Sequence, residues 1–221
     1  MIGAGQRLIN QAWYLKLFDT IKLFTPIDLI KDKEFWDTHK PFIESNERGY
    51  GYWIWKSYII KKTLAEIADG DILLYLDAGC EIDSKKAFLL QNAFDICQKD
   101  VILGTGTQQK ELSWTKKDLS FIYPIDNTEQ RQGGVIMMLA CPKVRELVDE
   151  WYMLSSDYHL LDDSPSIIPN PPAFVEHRHD QSIWSLLTKK YGLYSKYSME
   201  SVIDILRNTT SISKLQYYEL M

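Results

Sequence analysis

The chain has 221 residues, of which 45% are hydrophobic and 13% aromatic, and its formal net charge is −5. That length suits one α/β domain, and the acidic balance argues against a surface that tracks nucleic-acid phosphates, which needs a basic excess. No apolar run approaches the roughly 20 residues of a membrane span, and the N-terminus carries no signal-peptide core, so no integral membrane segment is expected. No Ser/Gly-rich tract, repeat or low-complexity segment divides the chain, so residues 1–221 read as a single domain. Cys80, Cys97 and Cys141 form no metal-spaced pair. An odd, sparse set suits a reducing, cytoplasmic setting better than a disulfide framework.

In chain order, Gly3-Ala4-Gly5 is half of a dinucleotide fingerprint, with Leu8 where a third glycine belongs and no strand before it. Leu8, Ala12, Leu15, Phe18 and Ile21 recur at helical spacing and predict a helix over about 6–18. Thr25-Pro26 ends that region, and Glu34 to Ile43 reads as a second helical stretch closed near Pro41.

Arg48-Gly49-Tyr50-Gly51-Tyr52-Trp53-Ile54-Trp55-Lys56 follows. Four aromatics around two glycines crowd any core, and rings with polar tips suit a ligand wall as well as a packed aromatic loop. Ile59, Ile60, Leu64 and Ile67 then predict a helix with Lys56 in its first turn, where an ammonium beside free N–H groups suits a phosphate. Asp69-Gly70-Asp71 feeds the apolar run Ile72-Leu73-Leu74-Tyr75-Leu76, which stops at Asp77-Ala78-Gly79-Cys80-Glu81. Such a run between turns is a strand buried on both faces, as in a parallel sheet. Ligands of open α/β sheets bind beyond the carboxyl ends of strands, where Asp77 stands; a helix-capping Asp is the plainer alternative.

Ser84 is positioned to cap a helix through Cys97, and Val101-Ile102-Leu103 forms a short strand ending at Gly104. Residues 105–127 are polar and irregular. Gln130-Arg131-Gln132-Gly133-Gly134 precedes Val135-Ile136-Met137-Met138-Leu139, a second buried-strand run. Paired glycines there permit close approach of a ligand to the backbone, or simply a turn. A helix starts after Pro142, and Asp162 to Pro172 is a proline-rich loop carrying Asp163. Glu176-His177-Arg178-His179-Asp180-Gln181 then opens a further helix, and the alternating His177 and His179 face one side if extended. That geometry allows either imidazole to ligate a metal; a solvated loop explains it too. Beyond Tyr191 the tail is mixed and polar, with room for a last strand and helix.

Taken together, the Gly49–Lys56 run, the Asp69–Glu81 run, Gln-Arg-Gln-Gly-Gly and Glu-His-Arg-His-Asp-Gln-Ser resemble the small GT-A-type nucleotide-sugar glycosyltransferases of bacterial surface-polysaccharide loci and some large viruses. The resemblance covers roughly residues 5 to 195. It implies a Rossmann-like α/β fold with a mostly parallel central sheet flanked by helices, its first strand shortened or missing at Met1-Ile2. It implies transfer of a sugar from a UDP- or GDP-linked donor to a hydroxyl of a glycan or lipid-linked acceptor, in the cytoplasm or at the inner membrane surface.

Residue by residue, Asp77 matches the first carboxylate of the Asp-x-Asp motif that meets the diphosphate through Mn²⁺ or Mg²⁺. Lys56, with Tyr52, Trp53 and Trp55 before it, matches the helix flanking donor sugar and diphosphate. Gln132, Gly133 and Gly134, after Arg131, match the loop beside the donor sugar. Asp180 and Gln181 match the Asp-Gln pair near the reacting centre, with Asp180 the first candidate for general base and Asp163 the second. His177 or His179 matches a late metal ligand. Gly79 replaces the second Asp of the motif, and Glu81 is the nearest substitute. Two other readings fit the residues: a metal-dependent phosphodiester or nucleotide hydrolase, and an inactive transferase-like carbohydrate-binding protein.

Overall fold

A computed structural model describes residues 2–206. Along the chain, α1 (Ile2–Leu15), α2 (Pro26–Lys31), α3 (Lys33–Ser45), the single turn α4 (Gly49–Tyr52) and α5 (Ile54–Glu66) precede β1 (Ile72–Leu76) and β2 (Cys80–Ile82). Then come α6 (Ala87–Asp100), β3 (Ile102–Lys110), α7 (Glu111–Trp114), β4 (Glu129–Leu139), α8 (Pro142–Ser156) and α9 (Tyr158–Leu161). The last described elements are α10 (Asp180–Tyr191), β5 (Tyr194–Ser198) and β6 (Ile203–Ile205).

The main sheet has the order β1-β4-β3-β5, and β2 pairs with β6 in a separate two-stranded ribbon. The expectation of a mostly parallel sheet is corrected: β4 runs antiparallel to both β1 and β3, and β3 with β5 is the one parallel pair among the described strands. The reason is the connection. Lys110 pairs with Glu129, so β3 and β4 are two arms of a long hairpin, and an arm that returns without a crossover must run the other way. β1, β3 and β5 still point in one direction, so Asp77 lies beyond a carboxyl end shared by three strands. The short strand expected at Val101–Leu103 is instead nine residues long, Ile102–Lys110. β4 likewise begins at Glu129, so Gln132-Gly133-Gly134 lies inside it.

Helices pack on both faces of the sheet, so the Val135–Leu139 run of β4 is almost wholly buried, whereas Ile72–Leu76, read as a strand buried on both faces, is half-buried because β1 lies at the edge of the sheet. Leu73, Tyr75, Ile136 and Met138 belong to a core shared with α5, α8 and α10. Their neighbours Ile72, Leu74, Val135 and Met137 belong to a second core with Ala12 of α1, Leu90 and Ala93 of α6, and β2. The period of two along each strand thus feeds two cores at once. Leu17, Phe18 and Ile21 pack in the second core and Phe24 on the first, so this segment carries the chain from one face to the other. Of Met1-Ile2, read as the remnant of a strand, Ile2 is the first residue of helix α1, and Met1 lies outside the described residues. Pro41 lies inside α3 rather than closing it, and Asp83, not Ser84, caps the turn before α6 by accepting from the Lys85 N–H. The expected last helix falls beyond residue 206, outside the described residues.

In the first core His39 is buried between two phenols, with Nδ1 3.0 Å from the Tyr158 hydroxyl and Nε2 2.8 Å from that of Tyr152. Burial lowers its pKa from 6.5 to about 4. The unfolded chain therefore takes up the extra proton first as pH falls. Stability contributed by neutral His39 is complete above pH 6.5 and is lost progressively toward pH 4. Urea unfolding followed from pH 7 to 4.5 should show falling stability, with a shallower slope in His39→Gln; an identical slope in that variant would refute the assignment.

Candidate functional site

The site is built where β1 ends. The Asp77 N–H donates to the Gly134 carbonyl at 2.9 Å, which fixes the residue after β1 against β4. The Tyr75 hydroxyl, two residues earlier and so on the same side of the strand, donates to Asp77 Oδ1 at 2.7 Å. Lys56, in the first turn of α5, places Nζ 3.5 Å from Asp77 Oδ1 and 2.8 Å from Asp180 Oδ2. Asp180 opens α10. Lys56 is 3% and Asp180 4% exposed, so this is a buried ion pair rather than a surface one. Burial raises the pKa of Asp180, against the pull of Lys56, and Asp77 adds to the rise. Tyr75 is pushed well above its usual value by burial and then by Asp77.

β4 reaches this cluster through an irregularity. Gly104 of β3 pairs with Ile136, and Gly106 with Arg131, so four residues of β4 lie opposite the single Thr105 of β3. The surplus is Gln132-Gly133-Gly134, and a β-bulge of this kind turns the strand toward its neighbours. A Cβ on Gly133 would stand 3.3 Å from Asp180 Oδ2, so glycine is what allows the carboxylate to lie against the strand. The Gly133 N–H points to Gln181 Oε1 at 3.4 Å, and the Gln181 amide donates to Gln130 Oε1 at 2.8 Å. The Gln132 Oε1 accepts from the Thr105 hydroxyl. Thus Lys56, Asp77, Gly133, Gly134, Asp180 and Gln181, chosen from four separate stretches of sequence, meet at one place.

The aromatic run takes a form that the sequence does not announce. Gly49, Tyr50, Gly51, Tyr52 and Trp53 have consecutive φ values of 61, 56, 78, 51 and 62°. The N–H groups of Tyr52 and Trp53 donate to the carbonyls of Arg48 and Gly49, four residues back. α4 with Trp53 is therefore a left-handed helical turn. Glycine tolerates it, but each L-residue costs roughly 1–2 kcal/mol there, and three of the five are Tyr50, Tyr52 and Trp53. Ring packing holds the turn: Tyr50 stacks on Trp36, Tyr52 lies 4.8 Å and Trp53 5.5 Å from the His179 ring, and Trp55 Nε1 donates to the Gly49 carbonyl. The aromatics expected to form a ligand wall are half-buried against α3 and His179.

His179 also has a positive φ, 52°, immediately before Asp180. Its Nδ1 bonds to the Leu161 carbonyl at 2.8 Å, and its Nε2 lies 3.7 Å from Asp163 Oδ1. Asp163 is half exposed and faces Arg48 at 3.0 Å, so this second candidate base reaches the cluster only through His179. Arg48 also pairs with Glu176, clamping the proline-rich loop to the left-handed turn.

Of the side chains expected as metal ligands, His179 alone keeps a nitrogen, Nε2, without a hydrogen-bond partner among the described residues, 3.7 Å from Asp163. Both His177 nitrogens are engaged, Nδ1 with the Lys116 N–H at 3.3 Å and Nε2 with the Leu160 carbonyl at 3.0 Å. Glu81 is turned to α1, where Gln11 Nε2 lies 3.1 Å and Arg7 Nη1 3.5 Å away. Asp77 and Asp180 face an ammonium. Among the described residues no group of three His, Cys, Asp or Glu could hold a metal ion.

Sequence reasoning missed Tyr75, although its place two residues before Asp77 was a signal. It also missed Arg7, which donates to the Cys80 carbonyl at 2.9 Å and steadies the turn after Asp77. Cys80 is buried, as a small core thiol is expected to be.

The left-handed turn makes a prediction that reverses the usual order of residues. Tyr50→Gly and Tyr50→Ala lose the same ring, yet the glycine variant should be more stable by about 1 kcal/mol, because only glycine is at ease at this φ. Equal stabilities, or a better Ala variant, in chemical denaturation would contradict the left-handed geometry. No protein-family model, curated protein or solved structure matches the chain.

Proposed function

We propose that the chain is a glycosyltransferase that moves a sugar from a nucleotide-diphosphate donor to a hydroxyl of a glycan or lipid-linked acceptor. The observation that carries this reading is the meeting of Asp77, Lys56, Gly133-Gly134 and Asp180-Gln181 at the carboxyl end of β1. Carboxylates beside a backbone stripped of side chains suit a sugar: the acids accept its hydroxyl protons and the glycines let the ring approach.

In this reading Asp180 is the general base for the acceptor hydroxyl. A carboxylate whose pKa is raised by burial is a stronger base than an ordinary one, and a base works best when its pKa approaches the working pH. Asp77, oriented by Tyr75, binds and aligns donor hydroxyls. Lys56 is a positioning residue: its ammonium holds the two carboxylates at one place. Gln181 and the bulge shape the wall beside the sugar. With Asp77 and Asp180 turned to the Lys56 ammonium, this reading gives the diphosphate no metal partner.

Purified protein should release UDP or GDP from a nucleotide sugar in an acceptor-dependent manner. Asp77→Asn should remove that turnover by 100-fold or more while the melting temperature stays within a few degrees. Hydrolysis without acceptor would favour the hydrolase reading instead. The acid limb of kcat/KM should lie above the ordinary carboxylate range, and Asp180→Asn should abolish it. Nucleotide affinity is expected to be equal in Mn²⁺ and in EDTA; a tenfold gain with Mn²⁺ would return Asp77 to the role of metal ligand. Lys56→Ala, which removes the ammonium paired with buried Asp180, should destabilise the fold by about 3–5 kcal/mol in chemical denaturation.

A further inference from the structure

Arg131 differs from the other buried and half-buried cations. Lys56 faces Asp180, Lys116 faces Asp162, Lys189 faces Glu111 and Arg7 faces Glu81. Among the described residues the Arg131 guanidinium makes neither an ion pair nor a hydrogen bond, and its Nη1 is buried without an acceptor. It is held flat, with Cζ 4.0 Å from the centre of the Tyr194 ring. Tyr194 is itself fixed by donating to the Thr105 carbonyl at 3.1 Å. Burial lowers the guanidinium pKa, with Tyr194, Glu111 and Tyr123 as its nearest ionisable influences, and Glu111 is already committed to Lys189, Ser185 and Thr115. A desolvated charge without a partner is costly, and a neutral side chain would cover Tyr194 as well.

Space and position complete the case. Across the sheet Arg131 pairs with Gly106, which is exposed and has no atom within 4 Å of where a Cβ would stand. Arg131 lies two residues before Gly133, at the start of the bulge.

We infer that Arg131, set on Tyr194 beside the open Gly106, receives a phosphoryl group of the ligand, while Asp77 and Asp180 take its uncharged hydroxyls. A planar guanidinium with free N–H groups matches two phosphate oxygens at once. The inference stands on Arg131's own surroundings. Only the owner of the phosphate, a nucleotide diphosphate or a phosphate-linked lipid acceptor, rests on the transferase reading.

Calorimetric titration with inorganic pyrophosphate, UDP, GDP and farnesyl monophosphate tests it, using wild type, Arg131→Gln and Arg131→Lys, with melting curves of each unliganded protein. At least one probe should bind wild type and lose about 10- to 100-fold in affinity in Arg131→Gln, with Arg131→Lys between. UDP or GDP binding more tightly than pyrophosphate assigns the phosphate to the donor; farnesyl monophosphate alone assigns it to the acceptor. Unliganded Arg131→Gln should melt no lower than wild type, since it removes an uncompensated charge. The inference is overturned if no probe binds folded wild type, if Arg131→Gln binds as well as wild type, or if that variant melts lower without ligand. Arg131-dependent pyrophosphate binding without sugar transfer would sink the transferase reading and leave this one; sugar transfer with nucleotide affinity undiminished in Arg131→Gln would do the reverse.

Discussion

An ammonium buried 2.8 Å from one carboxylate and 3.5 Å from another is the contact on which the candidate site depends. Taking Lys56 and Asp180 out of water is expensive, and their mutual attraction offsets that cost only while their geometry is held. Four elements therefore have to arrive in register: the first turn of α5, the end of β1, the bulge of β4 and the start of α10. Each is fixed by contacts of its own. The first half of α5 is buried on nearly all sides, β1 is pinned to Gly134 through the Asp77 N–H, and Gly133 leaves the space that Asp180 fills.

A second constraint acts through the backbone. Five consecutive residues with positive φ, followed far along the chain by His179 with another, place two strained segments in ring contact with one another. Strain of this kind persists only where surrounding packing over-determines it, and it gathers at sites of function more than elsewhere. Tyr52 and Trp53 touch His179, whose neighbour is Asp180, so the left-handed turn bears on the carboxylate through one imidazole.

Much of the fold was legible in the sequence, because strands with helices packed on both faces leave continuous apolar runs and both runs in the main sheet were found. The positions of Asp77, Gly133, Asp180 and Lys56 were readable for the same reason: each sits at the edge of a regular element that its neighbours define. What was not readable depends on contacts distant in sequence. The reversed direction of β4 follows from its pairing across Lys110 and Glu129, which no local pattern reports. The left-handed turn was hidden because Tyr50, Tyr52 and Trp53 are poor residues for it, and only packing on Trp36 and His179 makes it tolerable. His177 alternates with His179, and Glu81 follows Asp77, as ligands would, yet the polar atoms of His177 and Glu81 are spent on Leu160, Lys116, Arg7 and Gln11.

The pairing of β1 with β4 also governs how the chain is made. Leu76 finds its partner in Val135, and Ile72 in Leu139, so the apolar strand Ile72–Leu76 is synthesised well before the segment that will bond to it. At ribosomal speeds the intervening residues take roughly 3 to 12 s to emerge. Throughout that interval Ile-Leu-Leu-Tyr-Leu has neither charge nor proline to discourage pairing with another chain. The strand that presents Asp77 to the finished site is thus the segment of the nascent protein with most need of a chaperone.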